Sequence, residues 1–184
     1  MRVIGNGGPE PVTPEEFMAA VHIDETDDLV NLARLLGSAA EVVERAANRV
    51  ILRRELVIEA PSVSWSRWWL PVAPIISVDA VEVLDESGDW LAVPASRYRL
   101  SRAFDEPQLV RHGAIYRGVE CRVRVTAGYG EDRGGLSLKR AIILLAKEWH
   151  DADITATDMK PEALSFGVQR LIKQSRYRRP QEVA

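Results

Sequence analysis

Apolar residues recurring at three- and four-residue steps mark the longest element of the chain. Leu29, Leu32, Ala33, Leu36, Ala40, Val43 and Ala47 fall on one side of a helix, and Arg34, Glu41, Glu44 and Arg45 fall elsewhere. This helix ends near Asn48 and Arg49 and is preceded by Asp24, Glu25, Asp27 and Asp28, where the helix dipole favours acids. A shorter helix is predicted over 13–21, with Thr13 as cap, Pro14 at the first helical position and Glu16 completing a capping box. Leu138, Ile142, Leu145 and Trp149 stay in register over 136–150 and predict a third helix. A last helix is predicted over 162–173, although Gly167 weakens it by about 1 kcal/mol relative to Ala.

Between the helices the period changes from 3.6 to 2. The strongest strand is 119–126, where Val119, Cys121, Val123 and Val125 face one way and Glu120, Arg122, Arg124 and Thr126 the other. β-favouring runs occupy 50–52 and 56–58, with Pro61 ending them. Residues 78–84, 85–89 and 90–93 read as strand, turn, strand, and 97–100 as a further strand. Short runs at 109–110 and 114–116 flank a turn at His112 and Gly113. Helices, then strands, then helices predict an α+β fold, a helical bundle with a central antiparallel β insertion. The expected organisation is a flexible arm over 1–12 and one domain over 13–168. Within that domain lie helices 13–49, a β-rich block 50–130 and helices 136–168, followed by a basic docking tail over 169–184. Three glycines and two prolines in the first twelve residues are the reason for the arm.

Composition narrows the function classes. The chain has 184 residues, 46% hydrophobic and 28% charged, which suits a globular domain. Its single cysteine, Cys121, excludes an internal disulfide framework and a cysteine-based zinc cage. The start Met1-Arg2-Val3-Ile4-Gly5 has no apolar run of the signal-peptide kind, so a cytoplasmic protein is expected. The net charge is −3, but it is uneven: residues 1–60 hold 6 basic and 11 acidic side chains. Residues 169–180 hold Arg170, Lys173, Arg176, Arg178 and Arg179 and no acid. An acidic body with a short basic end is not a general DNA binder, which is basic over a whole face.

Candidate chemistry is sparse. His150 beside Asp151 and Asp153 offers poor geometry for one metal ion and reads as a solvated helix end. The acids from Asp24 lack the glycine of a calcium loop, since Leu29 stands sixth. Gly5-Asn6-Gly7-Gly8 follows no predicted strand and precedes no Lys-Ser/Thr pair, so it is not a phosphate loop. Cys121 falls on an apolar strand face and is expected to be inert. No cofactor motif and no catalytic constellation is found, so an enzyme is not expected. The dense stretch Trp65, Arg67, Trp68 and Trp69 has three readings: stacking on bases, a subunit or neck interface, or plain core. The basic tail likewise reads as solvated surface, as a dock for an acidic protein, or as a nucleic-acid contact.

Four phrases, in order and at the right spacing, resemble the head–tail connector (adaptor) proteins of tailed bacteriophages. The version they resemble most is that of gene transfer agents. Val12-Thr13-Pro14-Glu15-Glu16-Phe17 through His22-Ile23-Asp24 is similar to that family's capped first helix and its L-x-I-D phrase. Asp27-Asp28-Leu29 through Ala46-Ala47-Asn48-Arg49 resembles its second helix, with Ala47 where the family has Thr. Leu70-Pro71-Val72-Ala73-Pro74-Ile75-Ile76-Ser77-Val78, followed by Tyr98-Arg99-Leu100, resembles its L-P-x-x-P-I-x-S-V phrase. Val123-Arg124-Val125-Thr126-Ala127-Gly128-Tyr129-Gly130 is similar to its V-x-Y-T-A-G-Y-G strand end. The family then has a Pro that starts the next helix; here Leu136-Ser137-Leu138 stands instead.

The resemblance implies a structural, non-catalytic protein without cofactors. Such adaptors form a ring, commonly of twelve subunits, below the portal of the capsid. The ring joins the DNA-filled head to the next neck protein and the tail, and DNA leaves through its channel. It would assemble in the cytoplasm and leave with the particle. On this reading the tail, with Arg170, Lys173, Arg176, Tyr177, Arg178 and Arg179, docks on the portal, and Tyr177 is its aromatic anchor. Trp65, Trp68 and Trp69 then supply a subunit or neck interface. A neck stopper or tail-completion protein, or a nucleic-acid-binding module, are the alternatives.

Overall fold

The computed structural model describes residues 3–5, 10–23, 28–60, 65–102, 106–113, 120–130, 135–152 and 164–180. The chain divides into two compact units, one of strands and one of helices, where the sequence was read as one domain with an insertion. The helical unit spans 9–51 and 131–176; the strand unit takes 1–8, 52–130 and 177–184.

Four helices build the helical unit: α1 (Pro14–Val21), α2 (Leu29–Ala47), α3 (Leu136–Asp151) and α4 (Phe166–Ser175). The capping box at α1 is present in both directions, Glu16 N–H to Thr13 Oγ1 and Thr13 N–H to the Glu16 carboxylate, each 3.2 Å. Asp28 caps α2 by accepting from Asn31 N–H, and Asn48 ends it in the left-handed region at φ 52°. α3 starts without a side-chain cap, and Gly135, at φ 83°, stands at its N-cap position. α4 is capped by Ser165 and starts at Phe166, later than the expected 162; residues 161–163 lie outside the described residues. α3 packs against both α2 and α4, and α1 against α2 and α3. Ala39, Ala40 and Ala47 on α2 and Ala141 and Ala146 on α3 are buried among Leu36, Val43, Leu138 and Ile142, so small side chains let the helices approach closely.

The strand unit holds two antiparallel sheets. The larger runs in the order β1 (Val3–Gly5), β2 (Arg54–Ala60), β8 (Cys121–Ala127), β4 (Ile75–Leu84), β5 (Trp90–Ala92). β8 is its centre, and the alternation expected there is present: Cys121, Val123, Val125 and Ala127 are buried, while Arg122, Arg124 and Thr126 face out. Leu56 and Ile58 on β2 and Val81 and Val83 on β4 complete that inner face. β4 shifts register against β8 twice, between Ile75 and Ser77 and between Val78 and Ala80. The smaller sheet runs β3 (Arg67–Trp69), β7 (Gln108–Arg111), β6 (Tyr98–Ser101).

The expected arm over 1–12 is corrected at both ends. Val3–Gly5 pairs with β2, Val3 opposite Ile58, and Val12 is 1% exposed. The expected strand 50–52 shortens to a bridge from Leu52 to Tyr129, because Val50 and Ile51 belong to the helical unit. The expected strand at 114–116 lies outside the described residues.

Candidate interaction surfaces

The tryptophan stretch alternates with the pleat of β3. Trp68 is 1% exposed and Trp65 8%, their rings 5.7 Å apart at 39°. Trp69, on the other face of β3, is partly exposed. The structure thus places Trp65 and Trp68 in the core and leaves Trp69 at the surface. The Trp68 indole N–H is buried and finds no acceptor among the described residues. Bases cannot stack on Trp65 and Trp68 while both remain buried.

The basic tail is divided as well. Arg170 and Lys173 lie on the exposed side of α4, whose Val168 and Ile172 are buried. Arg49 Nε donates to the Ser175 carbonyl at 3.0 Å and fixes the end of that helix. Arg176 is exposed at the helix end. Tyr177, expected to anchor the tail on a partner, is 3% exposed and donates its hydroxyl to the Leu70 carbonyl at 3.1 Å. Its anchor is internal to the strand unit. Arg178 and Arg179 follow as exposed residues.

Two sheet faces differ in how they treat their arginines. On the five-stranded sheet, Glu82 accepts from Arg122 Nε at 2.6 Å and from Arg124 Nε at 3.1 Å. Burial disfavours the Glu82 carboxylate, but the hydrogen bonds and charges of Arg122 and Arg124 outweigh it and hold its pKa below the usual range. The Arg122 guanidinium also stacks 4.3 Å over the Trp90 ring. Behind this face, burial, with Glu82 adding to it, pushes the Cys121 thiol up to about 11.

On the three-stranded sheet, Val110 faces Arg67 across one ladder and Arg99 across the other. Both arginines are exposed, and neither has an ion-pair partner among the described residues. Trp69, Gln108 and Ser101 share that face by the two-residue alternation of the strands. Sequence reasoning took Arg67 only with the tryptophans and did not join it to Arg99, because strands of three or four residues give too short a period to assign faces.

The turn between β4 and β5 is densely hydrogen-bonded. One oxygen, Asp85 Oδ1, accepts from Ser87 N–H, Ser87 Oγ and Asp89 N–H at 2.7–2.9 Å. The bond from Ser87, then that from the Asp89 backbone, keep the Asp85 carboxyl below its ordinary range. Gly88, at φ +90°, closes the turn.

Among the described residues no group of three or more His, Cys, Asp or Glu is placed to hold a metal ion. At the end of α3, Lys147 Nζ contacts Asp151 at 2.7 Å and His150 Nδ1 lies 3.7 Å from it. That cluster is an exposed, paired helix end. No described helix is long and apolar enough to cross a membrane.

No family model and no curated protein matches the chain. Solved structures do. A chain in the neck of an empty gene transfer agent particle computed with C6 symmetry matches at TM-score 0.77 and 22% identity, covering 98% of each chain. A chain in the virion of the native particle matches at TM-score 0.77 and 23% identity over the same shares. A chain in the native neck computed with C12 symmetry matches at TM-score 0.73 and 24% identity, again over 98% of both. The chain shares the fold of these particle components from end to end.

Proposed function

We propose that the chain is a structural protein of the neck of a phage-like particle, acting as its head–tail adaptor. The observation that carries this is the fold shared over 98% of both chains with components of gene transfer agent necks. The four sequence phrases point to the same family independently of that comparison. On this reading, copies of the chain form a ring, of twelve where the neck has twelvefold symmetry, below the portal. The ring joins the DNA-filled head to the next neck protein and the tail, and DNA passes through it. A net charge of −3 suits that passage, because phosphates gain little nonspecific affinity from an acidic wall.

The portal dock, on this reading, lies in the exposed cations Arg170, Lys173, Arg176, Arg178 and Arg179. Tyr177 then holds the segment in place from within. The test is assembly: portal-bearing capsids, the purified chain, and imaging of the portal vertex. A ring of this chain between portal and tail is expected. Capsids that join tails equally well without the chain overturn the reading.

A further inference from the structure

We propose that the face of the three-stranded sheet that carries Arg67, Trp69 and Arg99 docks the acidic β4–β5 hairpin of a second copy of this chain. The proposal rests on the ring reading above and names the contact that builds the ring.

The strand unit treats its arginines in two ways. Arg122 and Arg124 are both answered by Glu82 on their own sheet. Arg67 and Arg99 stand one strand apart on either side of Val110 with no such answer among the described residues. Like charges placed this way repel, and folded surfaces ordinarily intersperse signs. Val110 between them is covered, at 8% exposed, and the accessible apolar group of this face is Trp69, two residues along β3 from Arg67. A partly exposed tryptophan beside arginines unpaired among the described residues has the composition of an interface hot spot.

The hairpin offers the complement. Asp85, Glu86 and Asp89 surround a turn held rigid by the Asp85 carboxylate. Leu91, next on β5, is 46% exposed. Within one chain no ion pair among the described residues joins these acids to Arg67 or Arg99. A phosphate backbone would satisfy the guanidinium groups but bring no aliphatic surface to Trp69. The hairpin brings both carboxylates and Leu91, which favours a second copy. The two faces differ, so the contact is heterologous and repeats from copy to copy until the rotation closes a ring. Both belong to the strand unit, so every copy carries both.

A charge swap tests this on the full chain. One variant reverses the face, Arg67→Glu with Arg99→Glu; the other reverses the hairpin, Glu86→Arg with Asp89→Arg. Assembly is read by mass photometry at low ionic strength, where surface charges are least screened. Circular dichroism confirms that each variant is folded. The wild-type chain is expected to self-assemble, each variant alone to do so about tenfold or more weakly, and an equimolar mixture to recover. Recovery follows because the reversed face meets the reversed hairpin and the original face meets the original hairpin. Assemblies that persist in both variants overturn the proposal and leave the ring reading standing. Folded variants that fail to recover on mixing overturn it as well. A wild-type chain that stays single both alone and on portal-bearing capsids overturns both. Retention on duplex DNA lost only in the face variant, with self-assembly intact, reassigns the face to nucleic acid and overturns the second-copy contact.

Discussion

A Cβ on Gly128 would sit 2.4 Å from the Leu52 carbonyl oxygen, at a backbone φ of +117° that other residues rarely adopt. Gly128→Ala therefore combines a clash with conformational strain and is expected to cost about 2 kcal/mol or more, read from urea unfolding. Cys121 needs no such space but does need dryness. With its thiol raised to about 11 and 2% exposed, it is expected to resist alkylation at pH 8 until the chain is unfolded. Glu82 gives a pH signature. Its folded pKa is depressed from 4.5, so its ion pairs contribute fully above that value and are lost as pH falls through the folded one. Glu82→Gln is expected to lower Tm at pH 7 and to converge on the wild type in acid below the folded pKa. Cys121 was legible as an inward strand residue, as were Thr13 and Glu16 as a cap, because each depends on near neighbours. Tyr177 was not, because its hydrogen-bond partner Leu70 lies 107 positions away.

Elements with a sustained period were readable from the sequence, and those without were not. α2 forms over 19 residues and β8 over seven where a period is sustained, although Leu29 of the expected stripe is 46% exposed and Val119 of the expected strand lies outside the described residues. β3, β6 and β7 have three or four residues each, too few for a period, so their arginine face emerged only from the pairing. The start of α4 moved to Phe166 because Ser165 supplies the cap; its oxygen accepts from Val168 N–H at 3.4 Å. Local signals also set the expected cost of changing an element. Thr13→Ala removes one arm of the capping box at α1 and is expected to cost about 1 kcal/mol. Phe17→Ala, one turn further along, empties a site that is 0% exposed and is expected to cost about 3 kcal/mol. Chemical denaturation of the two variants checks that order.

Across the whole molecule the chain crosses between its units four times, after residues 8, 51, 130 and 176. The sequence showed the middle two as a β block set among helices. The outer two escaped it, since each rests on a short segment whose partner is distant: β1 on β2, and Tyr177 on Leu70. The division has a practical use, because Trp65, Trp68, Trp69 and Trp90 lie in the strand unit and the described helices α1 to α4 in the other. Tryptophan fluorescence thus follows mainly one unit and helical circular dichroism the other. Coincident unfolding curves are expected, because neither unit is a continuous stretch that can fold ahead of the rest; separated curves would show independent units.

The return of the chain to the strand unit at Tyr177 also sets where a mechanical load would run. The first described strand and the last described segment both belong to that unit. Tension between them is therefore borne by the β1–β2 pairing and by the buried Tyr177 ring with its bond to Leu70. The helical unit lies on a side branch of that path and is spared until one of these two fastenings yields. Under such a load the fastenings at β1 and Tyr177 are expected to be the first to give.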